Sequence, residues 1–80
     1  MHSLPIFLDL RGRSVVLLGE GEAAAAKRRL IERAGGIVVG EADRAARIAF
    51  VACDDDAQAE AATARLKARG LIVNAPDRSI

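Results

Sequence analysis

Eighty residues set the chain's scale at one small domain, residues 1–80, of a size that buries only about 60% of its unfolded surface. Hydrophobic residues make up 51%, but with two Phe, no Tyr, no Trp and seventeen Ala, a composition that suits helices packed closely on a sheet rather than a thick aromatic core. A net charge of +1 with both signs interspersed argues against a nucleic-acid or membrane surface, and the single Cys53 excludes an internal disulfide, so with no leader pattern or membrane-length apolar run a cytoplasmic protein is expected.

Leu4-Pro5-Ile6-Phe7-Leu8-Asp9-Leu10 is an apolar segment whose Pro5 suits a sheet edge or a strand start. After the polar turn Arg11-Gly12-Arg13, Val15–Leu18 reads as a buried strand. It turns through Gly19 and Gly21 into a helix expected from Glu22 to Ala34, with Ala23, Ala26, Leu30 and Ala34 inward and Lys27, Arg28, Glu32 and Arg33 mainly outward. Gly35-Gly36 stops that helix, and Ile37-Val38-Val39 reads as a second buried strand that completes a right-handed βαβ unit. Ile48–Ala52 is a continuous apolar run, expected to be a strand buried on both faces. Asp55, with Gln58 three residues on, has capping-box spacing and opens a helix that runs to about Arg69 and stops at Gly70. Leu71–Asn74 is the last strand. The order (β)βαββαβ predicts an α/β fold with a mostly parallel sheet. One link is tight: residues 40–47, fully extended, reach roughly 26 Å, just enough for a crossover running the length of a sheet.

The strand-to-helix turn carries the chemistry. Gly19-Glu20-Gly21-Glu22-Ala23-Ala24 is G-x-G-x-x-A, the alanine form of the dinucleotide-binding fingerprint in its proper strand–turn–helix context. Gly19 permits the tight turn, Gly21 lets the backbone approach a pyrophosphate, and Ala24 allows close packing of helix on strand. Free N–H groups at the helix start attract the phosphates. On this reading Gly19, Gly21, Glu22 and Ala23 cradle the pyrophosphate of NAD in a small Rossmann-type domain. Charge opposes it, since Glu20 and Glu22 sit where the pyrophosphate should lie; a β–α turn that binds nothing is the plainer reading, with Glu22 simply capping the helix.

The fingerprint also expects an acid about 20 positions on, to hydrogen-bond the adenosine ribose. Glu41 lies 20 residues after Gly21 and Asp43 follows closely; either would favour NAD, whereas Arg44 would receive the 2′-phosphate of NADP. Both acids are equally readable as solvated loop residues. Cys53 and Asp54 stand at the carboxyl end of a strand, where open α/β sheets place ligands, and are assigned to the same cofactor site. Capping explains Asp54-Asp55-Asp56 more simply than a metal site does, and no metal is expected. Cys53, without a nearby His or CxxC partner, reads as a small buried residue rather than a nucleophile. Asp77, after Asn74-Ala75-Pro76, reaches the same edge as either a general base or a turn residue.

Together Leu4-Pro5-Ile6-Phe7, the Gly19–Gly21–Ala24 loop, Lys27 with Leu30, Ala34-Gly35, Ala52-Cys53-Asp54-Asp55-Asp56 and Asn74 with Asp77 resemble the N-terminal module of siroheme synthase, the precorrin-2 dehydrogenase and sirohydrochlorin ferrochelatase. The resemblance implies NAD-linked oxidation of precorrin-2, a tetrapyrrole, to sirohydrochlorin, and a possible homodimer. It also implies that Asp77 matches the family's catalytic aspartate, used for proton abstraction and metal insertion. Cys53 departs from the usual threonine, and the link after Val39 lacks about a strand and a helix. Family members continue past the position of Asp77 into a dimerisation region and a helical segment, so most of the substrate half is expected to be missing. Two alternatives come from other classes: a non-catalytic NAD-binding or interaction module, and a truncated remnant that keeps the fold without activity.

Overall fold

The computed structural model describes residues 10–75. The apolar segment at Leu4–Phe7 and the candidate Asp77 lie outside the described residues. Six elements follow in chain order: β1 (Ser14–Leu18), α1 (Gly21–Arg33), β2 (Ile37–Val39), β3 (Ile48–Val51), α2 (Asp56–Ala68) and β4 (Ile72–Asn74). The strands form one sheet in the order β2-β1-β3-β4, and every neighbouring pair is parallel. This is the α/β arrangement of a small Rossmann-like domain. No helix among the described residues is long and apolar enough to cross a membrane.

The two helices cover opposite faces. Val15 and Ile48 pack against Ile31 of α1, while Val16, Ala49 and Val51 pack against Ala59, Ala62 and Leu66 of α2. Opposite faces follow from handedness: β1 to β2 steps one way along the sheet and β3 to β4 the other, so two right-handed crossovers must lie on opposite sides. Both helices end in the same device. Gly35 and Gly36 donate to the carbonyls of Glu32 and Ile31, and Gly70 and Leu71 donate to those of Lys67 and Leu66, each a Schellman closure with the next strand directly behind it.

Three expectations are corrected. The inner face of α1 is Ala24 and Ile31, with Ala26 and Lys27 half-buried; Ala23 and Ala34 are exposed and Leu30 is 56% exposed. The expected stripe was out of phase with the observed one, and the half-buried Lys27 extends over the Phe50 ring at 5.9 Å. Ile37–Val39 is not a buried strand but the sheet's edge, with Ile37 52% exposed. The 40–47 link does not run the length of the sheet either. In register, β2 ends at Val39 opposite Val16, and β3 begins at Ile48 opposite Val15. The link therefore only crosses behind β1, roughly two strand spacings of about 4.8 Å each. It does so on the α2 face, where Ala46 is buried in the α2 cluster.

Candidate nucleotide cleft

β1 is central, and the chain leaves it toward β2 on one side and meets β3 on the other. The carboxyl ends of β1 and β3 are thus the point where strand order reverses, the place where open α/β sheets carry ligands. An open cleft of about 480 Å³ lies there, lined by Gly19, Glu20, Cys53, Asp54, Asp55 and Gln58.

The backbone explains the two glycines separately. Gly19 has φ +126°, and a Cβ there would overlap the carbonyl of Ala52, so this residue is needed for close approach of the loop to β3. Ala52 in turn donates to Leu18 at 2.7 Å, closing the two strand ends together. Gly21 has φ +85° and nothing within 4 Å of where a Cβ would stand. The surface above it is open to a ligand's approach. Glu20 occupies the N-cap position of α1 in extended geometry and makes no side-chain cap, which leaves the first-turn N–H groups of α1 without a side-chain acceptor from that position. Glu22 lies in the first helical turn, not at the cap.

Asp55 behaves differently. Its carboxylate accepts from the N–H of Ala57 at 2.8 Å and of Gln58 at 3.3 Å, an N-cap on α2 as the spacing predicted. Asp54 and Asp56 flank it, and no group of His, Cys, Asp and Glu suited to a metal ion occurs among the described residues. Cys53, the chain's single cysteine, is half-buried and forms no internal disulfide.

The structure thus joins Gly19, Cys53 and Asp54 in one cleft, with Gly21, Glu22 and Ala23 on the adjoining first turn of α1. It does not bring Glu41, Asp43 and Arg44 into the lining of that cleft. β2 stops level with Val16, so the residues after it leave the sheet well short of the Gly19 turn. Glu41 is instead gripped by Arg65 of α2, Nε to Oε2 at 2.9 Å and Nη2 to Oε1 at 3.0 Å. Those hydrogen bonds hold the Glu41 carboxyl below the usual carboxylate range; partial burial works against them, and the charges of Arg65 and Arg69 add to them. Arg69 donates to the carbonyls of Glu41 at 2.6 Å and Asp43 at 3.0 Å, and the Asp43 carboxylate accepts from Ala45 N–H at 2.8 Å. Sequence reasoning missed Arg65 and Arg69, and read Gln58 as part of the α2 cap but not as a wall of the cleft. The two arginines are 24 and more residues from their partners, and no local pattern marks them.

No protein-family model matches the chain. It is similar to siroheme synthase of Photorhabdus laumondii subsp. laumondii, 53% identical over 38 residues, and to those of Sodalis glossinidius, 49% over 39 residues, and Zymomonas mobilis subsp. mobilis, 47% over 38 residues. The matched segments cover 48–49% of this chain and 8% of each relative's length. The resemblance to siroheme synthase read from the residues is borne out over about half of the chain.

Proposed function

We propose that the cleft at the β1–β3 carboxyl ends binds NAD, and that the chain acts in siroheme biosynthesis as a precorrin-2 dehydrogenase module. One observation carries the cofactor reading: the G-x-G-x-x-A loop opens α1 at the strand-order reversal, with clear space above Gly21. The backbone fits a pyrophosphate, with Gly19 and Gly21 giving clearance and the N–H groups of Glu22 and Ala23 donating to it. Cys53 and Asp54 would border the same group across the cleft. When bound, NAD supplies the hydride acceptor.

The reaction and its substrate rest on the siroheme synthase similarity. In this reading Asp77 is the acid–base residue for precorrin-2, the protein works in the cytoplasm, and residues 1–80 form one domain that pairs as a homodimer. Glu41 or Asp43 reaches the ribose only if Arg65 and Arg69 release the 40–47 link, and Arg44 meets a 2′-phosphate under the same condition. The preference for NAD over NADP is therefore carried by the acids of the cleft itself. Glu20, Asp54 and Asp55 line it, and a 2′-phosphate adds charge of the same sign.

Calorimetric titration with each dinucleotide tests this. NAD is expected to bind and NADP to bind more weakly, by about tenfold for one added like-charge contact of roughly 1.4 kcal/mol. Tighter binding of NADP would remove the assignment.

A further inference from the structure

At the opposite end of the sheet two open clefts of about 340 and 480 Å³ share Arg44 and Arg69 in their walls. Ala46, Arg47 and Leu71 complete the first, and Glu41 and Ala42 the second. Arg47 and Leu71 immediately precede β3 and β4, so these clefts face the amino-terminal end of the strands, away from the Gly19 turn. We propose that they form a second anion site, which takes a small doubly charged phosphate group independently of the dinucleotide.

The charge balance favours it. Among the described residues around these clefts, Arg44, Arg47, Arg65 and Arg69 stand against two carboxylates, Glu41 and Asp43. Glu41 is committed to Arg65, and Asp43 to the Ala45 N–H. Arg44 and Arg47 are exposed, and their side chains make no hydrogen bond or ion pair to another described residue; only the Arg47 carbonyl is engaged, by the Ile72 N–H. Arg69 is already fixed by its two bonds to the link carbonyls, so little ordering remains when a ligand arrives. The C-terminus of α2 opposes an anion, but its Leu66 and Lys67 carbonyls are taken up by Leu71 and Gly70. Guanidinium forks match phosphate oxygens in pairs, and two excess positive charges match a doubly charged group.

Backbone amide shifts of the 80-residue chain, followed by NMR during titration with inorganic phosphate, test the proposal. Saturable shifts are expected at residues 44–47 and 69–71. The double variant Arg44→Ala/Arg47→Ala is expected to bind about fivefold or more weakly, losing two partly screened charge-assisted contacts, with the β1 amides unmoved. The proposal is overturned if the shifts at 44–47 do not saturate, if saturation is confined to residues 19–23, or if the double variant keeps its affinity.

Discussion

Glu41 shows how one side chain changes its meaning between sequence and structure. Its place 20 residues after Gly21 suits a ribose ligand, yet its carboxylate is held bidentate by Arg65. A local spacing rule cannot see a partner 24 residues away, whereas the Asp55 cap was legible because its partners are two and three residues on. The pair also makes a pH prediction. The folded-state pKa of Glu41 lies below its ordinary value of about 4.3, so its contribution is complete above that value and lost as pH falls through the lowered one. Glu41→Gln should therefore destabilise the chain near neutrality. About 0.2–1 kcal/mol is expected, since the Glu41 side chain is one-third exposed and Arg65 half exposed. Urea unfolding of both proteins across pH 7 to 3 checks it: the gap should close on the acid side, and a gap that widens there would contradict the ion pair.

At the scale of elements, the strands and the helix ends were legible, because β-branched runs and Gly stops are local signals. The phase of α1 was not. Ala23 to Ala26 present the same side chain on every side of the helix, and only Ile31, fully buried beneath Val15, fixes which face turns inward. The route of the 40–47 link was hidden for a related reason. Its length shows in the sequence, but how far it must travel depends on register, and β2 pairs only with the lower part of β1. Each helix consequently depends on one large anchor among alanines, Ile31 for α1 and Leu66 for α2. Leu66→Ala should cost about 2–5 kcal/mol. That is a large share of the roughly 4–12 kcal/mol a chain this long commands. Chemical denaturation measures it, and a loss under about 1 kcal/mol would mean that α2 is held by other contacts.

The whole molecule is electrically polar. Both helices begin at the carboxyl edge of the sheet, with Glu20, Glu22, Asp54, Asp55 and Asp56 at their starts. Arg33, Lys67 and Arg69 lie at their far ends, and Arg47 just before β3. This arrangement complements both helix dipoles and stabilises the fold, but it lines the candidate cleft with the wrong charge for a pyrophosphate. On the proposed NAD assignment, backbone N–H groups outweigh those acids and salt should assist them, because the Debye length shrinks from about 30 Å at 0.01 M to 10 Å at 0.1 M. Thermal unfolding with and without NAD, at low and at higher ionic strength, for the parent chain and for Gly21→Val, tests the central claim most directly. NAD at a hundred times its Kd should add about 2.7 kcal/mol to the parent. The resulting shift should be some ten degrees or more, should grow with salt at one fixed NAD concentration, and should be absent from Gly21→Val measured against its own ligand-free midpoint. A parent that shows no shift at millimolar NAD in either buffer, or a Gly21→Val variant that keeps the full shift, would contradict the claim that this cleft holds the dinucleotide.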